Sequence, residues 1–152
     1  EIAQCLVGSE MCIRDRDEAV EIVKSLSEVH LNYLSLIFLC KQTKMNGINS
    51  IESLKEHCEY ICAKMPVTNG IESSIPFLHM LRLLTISLGS AAEVYSKQYN
   101  LDIDKVKEIL PLAMNSIPGD YSLTPVGIII AIINIRNKTN LNLDFKIWIK
   151  SI

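Results

Sequence analysis

The spacing of apolar residues along the chain predicts a series of helices. Between Asp17 and Cys40, apolar side chains recur every three or four positions, the pattern of one buried helix face. From Leu31 onward they occupy most of the circumference, which is typical of a helix buried on more than one side. Asn46-Gly47 then supplies a stop, because glycine tolerates the left-handed conformation in which helices end. The pattern therefore predicts one long helix before Gly47.

Four downstream segments combine helical spacing with a polar residue suited to cap the first turn. We predict helices over residues 51–64, 75–99, 103–110 and 125–137. The second of these four contains Gly89, and a glycine inside a helix costs about 1 kcal/mol relative to alanine. Close approach of another backbone is the usual compensation, so we expect a tight helix crossing at Gly89.

Two short segments near the C-terminus carry strand signals instead. Tyr121–Leu123 follows the turn sequence Pro118-Gly119-Asp120 and is predicted to be extended. Residues 143–149 alternate between apolar and polar or aromatic side chains, and a period of two indicates a half-buried strand, with a terminal helical turn as the alternative. The predicted fold class is therefore mainly α, a helical bundle of four to six helices with at most a small strand pair near the C-terminus.

Composition narrows the function classes only slightly. The chain carries 15 Lys+Arg against 17 Asp+Glu, a net charge of −2, which provides no electrostatic attraction to nucleic acid or anionic membrane. Its longest apolar run, Val126–Ile133, is shorter than the roughly 20 residues of a membrane span. We interpret this run as a buried core helix and expect no membrane partner.

Residues 6–16, Leu-Val-Gly-Ser-Glu-Met-Cys-Ile-Arg-Asp-Arg, resemble a frame translation of a transposase-type sequencing adapter. The resemblance implies that residues 1–16 are a non-native artefact, and we expect a loose segment with few packing contacts there. Residues 17–152 then form a single helical domain, the C-terminal fragment of a longer protein. This stretch contains three cysteines and no visible export signal, which predicts a cytoplasmic protein without a disulfide framework.

His57, Cys58 and Cys62 are the closest approach to a metal site. The two cysteines lie one helical turn apart, but structural zinc needs four ligands, and nothing in the sequence brings another histidine near. We expect both cysteines to pack as small hydrophobic residues, with His57 facing solvent. No metal site is predicted.

Catalytic motifs are also absent from the sequence. There is no Gly-x-Ser-x-Gly nucleophile elbow, no phosphate-binding glycine-rich loop and no dinucleotide fingerprint. His79 and Arg82 can be neighbours on a helix, but Glu93 lies more than two turns beyond them. Gly119 and Gly127 are interpreted as a turn residue and a helix-packing residue. We predict no catalytic residue and no cofactor, and we favour a protein that is not an enzyme.

One alternative rests on the order of elements between Ile75 and Leu123. A helix, a turn, a second helix and the extended Tyr-Ser-Leu segment resemble the order of a winged-helix module, and Tyr121–Gly127 resembles its step from wing to terminal helix. The resemblance implies DNA binding, although acidic residues share the candidate recognition helix. The side chains that would then contact nucleic acid are Lys105, Lys107, Arg136 and Lys138.

A second resemblance concerns the end of the chain. The segments that carry it are Leu123-Thr124-Pro125-Val126-Gly127, Arg136-Asn137-Lys138-Thr139, Leu143-Asp144 and Ile147-Trp148. They are similar to the C-terminal end of uncharacterised bacterial proteins linked to phage defence of the abortive-infection kind. This likeness implies a regulatory or interaction module of a larger defence protein and supplies no catalytic residues.

The leading interpretation is thus a non-catalytic helical interaction or regulatory domain. Its partner would be its own missing N-terminal region or another protein chain, and the wide apolar stripes over Leu31–Cys40 and Val126–Ile133 motivate this hypothesis. A winged-helix DNA-binding module remains the alternative. A small enzyme would need a pocket with converging titratable groups, and the sequence identifies none.

Overall fold

The computed structural model describes the backbone of residues 10–141 and the side chains of residues 14–141. This part of the chain contains eight α-helices, one turn of 3₁₀ helix over Ile71–Ser74, and two short strands. The helices are α1 (Glu10–Val23), α2 (Glu28–Lys41), α3 (Ile51–Lys64), α4 (Ile75–Met80), α5 (Ala91–Tyr99), α6 (Ile103–Ile109), α7 (Leu112–Asn115) and α8 (Pro125–Lys138). The strands are β1 (Leu84–Ile86) and β2 (Tyr121–Leu123). The fold is mainly α with a small antiparallel strand pair, which confirms the predicted class.

Helices α2 and α8 form the centre of the fold. They run antiparallel, because Glu28 at the start of α2 pairs with Lys138 at the end of α8, while Gln42 after α2 contacts Leu123 before α8. Both helices are apolar around most of their circumference, and nine of the 14 residues in each are buried. Helix α1 packs on α8, while β2, α5 and the 3₁₀ turn pack against α2.

A buried amide network crosses the contact between α2 and α8. Asn134 Nδ2 donates to Asn32 Oδ1 at 3.1 Å and to Ser35 Oγ at 2.8 Å. Asn32 Nδ2 donates in turn to the Pro66 carbonyl at 2.8 Å, and Ser35 Oγ donates to the Leu31 carbonyl at 2.8 Å. A buried polar group left without a partner costs about 1–3 kcal/mol, so the network favours this register of the two helices over others.

The two strands form a short ladder beside the other end of this helix pair. Leu84 lies opposite Leu123 and Ile86 opposite Tyr121. The side chain of Gln42 occupies the outer edge of β2, since its Nε2 donates to the Leu123 carbonyl at 3.0 Å and its Oε1 accepts from the Leu123 N–H at 2.8 Å. The amide of Gln42 therefore takes the place of a neighbouring strand.

Several predicted elements are confirmed. Helix α3 has the predicted bounds, with Ser50 as its cap, and α8 begins after the Thr124 cap as expected. Helix α6 ends before Pro111, and residues 121–123 are extended. The apolar run over residues 126–133 lies in a mostly buried core helix. Within residues 10–141 no helix has both the length and the apolar character needed to cross a lipid bilayer.

The predicted first helix is wrong in one respect, because it is broken between Val23 and Glu28. Ser27 caps the start of α2 by accepting from the His30 N–H at 3.3 Å, and His30 Nδ1 accepts from the Ser27 N–H at 3.2 Å. This reciprocal capping begins a new helix, although the apolar spacing continues through the break. The new helix ends at Lys41, before Gly47.

The predicted helix over residues 75–99 is also wrong, because the chain forms α4, β1 and α5 there. Arg82 adopts a left-handed conformation with φ of 61°, and the Leu83 N–H donates to the Leu78 carbonyl at 3.1 Å. These are the features of a helix end that usually needs glycine, so arginine gives no signal for it. The tight helix crossing predicted at Gly89 is absent, since Gly89 lies in the loop before α5 with φ of 129°.

Residues 10–16 depart from the expectation of a loose segment. They are helical and continuous with residues 17–23 in α1. Extending a helix adds one hydrogen bond for each residue fixed, and Glu, Met and Arg are good helix formers, so this outcome needs no evolved packing. The strand predicted over residues 143–149 lies outside the described residues.

Another part of the backbone approaches closely at Gly127, in the first turn of α8. A Cβ added there would lie 2.7 Å from the Leu83 carbonyl oxygen and 3.3 Å from Leu123 Cβ. The carbonyl belongs to backbone, so it cannot rotate away as a flexible side chain would. Gly127 is therefore a packing residue, as predicted, and its partner is the residue before β1 rather than a helix.

We expect Gly127→Ala to lower the free energy of unfolding by about 1–2 kcal/mol, because the clash outweighs the helix propensity that alanine adds. Urea titration followed by circular dichroism measures the change. Gly119→Ala is the matched control, since nothing lies within 4 Å of a Cβ at that position, and it should change stability by less than about 0.5 kcal/mol. A Gly127→Ala chain as stable as the parent would show that this approach is not a constraint.

Candidate functional site

An apolar groove lies between α1 and α8. Its volume is about 510 Å³, and residues of both helices together with Leu31 line it. Its walls include Val20, Val23 and Ile133, whose exposed fractions are 61%, 39% and 54%. Large apolar side chains that remain this exposed around one concave surface are typical of a binding site rather than a free surface.

The polar groups of this groove do not form a reaction centre. Arg16, Asn134 and Asn137 line it, and Arg16 is the charged residue among them. The amide of Asn134 is already committed to Asn32 and Ser35 in the core. Acid–base chemistry needs titratable groups that converge on a substrate, and this lining provides none. The groove can therefore bind, but the described lining gives it no means of catalysis.

A second, more polar cleft of about 700 Å³ lies between the loop over residues 67–72 and the segment from α7 to Pro118. Glu72 is the titratable residue in its lining. Beneath it, the Tyr33 hydroxyl donates to the Ser116 carbonyl, and burial raises the pKa of Tyr33 above its ordinary value. A lone exposed carboxylate beside a hydrogen-bonded tyrosine gives this cleft no evident reaction.

Helices α5 and α6 form a helix-turn-helix. Asn100 is in the left-handed conformation with φ and ψ both 54°, and the Leu101 N–H donates to the Ser96 carbonyl at 3.0 Å. Asp102 then caps α6 by accepting from the Asp104 N–H at 3.1 Å. A short turn with one left-handed residue between two packed helices is typical of this motif. Strand β1 precedes the motif, and β2 follows it after α7.

The four residues predicted to contact nucleic acid lie on different elements. Lys105 and Lys107 are exposed on α6, which packs against α3 and α5. Arg136 and Lys138 lie in the last turn of α8, and Lys138 is paired with Glu28 of α2. Exposed acidic residues share α6 with the two lysines. The two lysines of α6 therefore lie among acidic residues, and Arg136 and Lys138 lie on a separate helix.

Cys40, Cys58 and Cys62, the three cysteines whose side chains the structure describes, pack in the core or against it. Cys40 and Cys58 are buried, and burial raises the pKa of each thiol to about 12, while that of the partly buried Cys62 rises to about 11. The buried Tyr95 hydroxyl lies beside the first two thiols. Thiols in this state are poor nucleophiles and metal ligands. Among the described side chains, no three His, Cys, Asp or Glu residues form a group that could hold a metal ion.

His57 and His79 have different surroundings. His57 does not face solvent as expected, because its Nε2 atom is buried and has no hydrogen-bond partner among the described residues. Burial lowers the pKa of His57 to about 4, since the charged imidazolium would lose its hydration. His79 is exposed, with its ring centroid 5.4 Å from that of Tyr121.

The buried His57 makes the stability of the fold depend on pH. Its folded-state pKa lies below the ordinary value of 6.5, so only the unfolded chain takes up a proton between about pH 6.5 and 4. Stability is therefore full above pH 6.5 and falls as the pH drops towards 4. From pH 7.5 to pH 5 we expect a loss of about 2 kcal/mol from this group.

Urea titrations of the parent chain and of His57→Gln at both pH values measure this loss. Between the two pH values, His57→Gln should lose about 2 kcal/mol less stability than the parent chain does. The exposed control His79→Gln should lose as much as the parent. Equal losses in the parent and His57→Gln would show that His57 does not carry this pH dependence.

One protein-family model, described only as ":-like", matches residues 16–111 and residues 100–149. The chain belongs to that family, because the first match alone covers more than half of it. The description names no activity, ligand or partner. No curated protein and no solved structure matches the chain.

Proposed function

We propose that this chain is a non-catalytic interaction module that binds an apolar helical face of a partner protein in the groove between α1 and α8. The observation that carries the proposal is the exposure of Val20, Val23 and Ile133 around one apolar groove. The likeness of residues 123–148 to abortive-infection proteins supports a setting within a larger defence protein, in which the bound partner regulates that protein.

The shape of the groove supports a helix as the occupant. Its wall on α1 extends from Arg16 to Val23, about 10 Å at the helical rise, which is two turns of a partner helix. Apolar side chains at positions i, i+3 and i+7 of such a helix would contact this length. Burying a Val or Ile side chain contributes about 1.5–3 kcal/mol at most. Three partly exposed residues therefore give a modest affinity, which suits a regulatory contact.

The helix-turn-helix of α5 and α6 favours a second candidate, binding to duplex DNA. The observation that supports DNA binding is the turn at the left-handed Asn100 between two capped helices. In the sequence, β1 precedes these helices and β2 follows them. Binding that weakens steeply with salt, and weakens further in Lys105→Glu/Lys107→Glu, would support this candidate. No binding to duplex DNA at low salt would remove it.

An unoccupied apolar groove should make the isolated chain self-associate. We expect light scattering to show an apparent mass that rises with protein concentration, and Val20→Lys/Ile133→Lys to reduce this rise because two charges then line the groove. Leu112→Lys is the matched control, since Leu112 is 81% exposed and lies outside the groove. It should behave like the parent.

Two outcomes would contradict the proposal. A monodisperse monomer at high concentration would show that the groove does not mediate self-association. An equal reduction by Leu112→Lys would show that general charge, rather than the groove, controls association. Circular dichroism of each variant checks that the fold is retained, which we expect because all three positions are exposed.

A further inference from the structure

The polar cleft between residues 67–72 and the segment from α7 to Pro118 is separate from the groove between α1 and α8, since the two share no lining residue. We propose that this cleft binds an ammonium group on an alkyl chain, carried either by a lysine side chain of a peptide or by a free diamine. This binding goes beyond the proposed groove function and does not depend on it, because it uses a different surface and a charged ligand.

Both walls of the polar cleft are fixed to neighbouring residues of the core helix α2. On one side, Asn32 Nδ2 donates to the Pro66 carbonyl at 2.8 Å, directly before the loop that begins the lining. On the other side, the Tyr33 hydroxyl donates to the Ser116 carbonyl. Asn32 and Tyr33 are both buried, so the cleft is preformed on the core. Its volume of about 700 Å³ lies within the roughly 300–1,000 Å³ that is usual for sites of small ligands.

The lining of the cleft carries negative charge. Glu72 is its titratable residue, and no lysine, arginine or histidine is among the described residues that line it. Burial raises the pKa of the Tyr33 hydroxyl, and the charge of Glu72 raises it further, which places this carboxylate near that hydroxyl. An anionic ligand would therefore meet a like charge, whereas a cationic ligand would meet a counter-ion.

The polar side chains of the lining have unused hydrogen-bond acceptors. Glu72, Asn69 and Asn115 are exposed, and their side chains make no hydrogen bond within the described part of the chain. The Ser116 carbonyl, which accepts from Tyr33, keeps a second lone pair for another donor. An ammonium group has three donors and no acceptor, so a lining of carboxylate, amide and carbonyl oxygens suits it.

Apolar side chains supply a surface for the alkyl chain of such a ligand. Val67, Ile75 and Leu112 line the cleft, and Leu112 is 81% exposed. Lysine side chains bury their methylene groups along apolar surfaces while the charged end stays with water or polar groups. A metal ion would leave these walls unused, and among the described side chains no three His, Cys, Asp or Glu residues form a group that could hold one. The lining therefore favours an organic cation.

Nuclear magnetic resonance titration of the full chain tests the proposal with defined probes. Nα-acetyl-lysine methylamide and cadaverine should each shift the backbone amides of Asn69, Gly70 and Asn115 at millimolar concentration, and added salt should weaken the binding. The amides of Val20 and Ile133 in the groove should stay unchanged. Binding of either probe supports the proposal, and the tighter one identifies a peptide or a free diamine as the source. No shift at the cleft, or equally tight binding of the neutral Nα-acetyl-norleucine methylamide, would overturn the proposal.

Replacing the carboxylate of the cleft by an amide tests its role as the counter-ion. Glu72→Gln keeps the shape of the side chain and removes its charge, so it should weaken the binding of both probes about fivefold, the upper range for an exposed ion pair. Glu52→Gln is the matched control, since Glu52 is also exposed in the first turn of a helix and lies outside the cleft. It should bind both probes like the parent, and the amide spectrum of each variant checks that the fold is retained. Unchanged binding by Glu72→Gln, or equal weakening by Glu52→Gln, would overturn the proposal.

Discussion

The antiparallel contact between α2 and α8 is the constraint on which the other elements depend. Two helices that are apolar over most of their surfaces can slide and rotate against each other at little cost. The amide of Asn134, bonded to Asn32 and Ser35, removes this freedom because any other register would leave buried polar groups without partners. Once this register is set, Gln42 meets Leu123 and holds β2, and Gly127 receives the backbone before β1.

The groove exists because the neighbouring elements do not cover the whole apolar surface of the two central helices. Helix α8 is apolar around most of its circumference, but α2 and β2 cover only part of it. Helix α1 covers a further part through Ala19 and leaves Ile133 exposed between the helices. The groove is thus the uncovered remainder of the core helix α8, and for this reason it is continuous with the contact between α2 and α8.

The sequence allowed the capped helices and the fold class to be predicted, because their signals are local. Ser50, Asp102 and Thr124 each stand before an apolar periodic segment and cap it in the structure. The breaks at Ser27 and Arg82 were missed, since the apolar spacing continues across the first and arginine rarely adopts the left-handed conformation required at the second. The strand partner of residues 121–123 depends on that second break.

The candidate surfaces were less predictable than the helices. The apolar stripe over residues 31–40 suggested an interface, but most of it is buried against α8 and its neighbours. Val20 lies outside the regular apolar stripe of α1 and is exposed. Periodicity identifies the buried face of a helix, but it does not show that an apolar residue beside that face will help to form a groove. The burial of His57 depends on how other elements cover α3, and one helix considered alone contains no such information.

Native-state amide exchange along a series of sub-denaturing urea concentrations tests the account most directly. If the other elements depend on the contact between α2 and α8, the buried amides of these two helices should exchange only through global unfolding. Helix α1 should open separately, with a smaller free energy of opening. Exchange of α1 together with α2 and α8 at one common free energy, or opening of α8 before α1, would contradict the account.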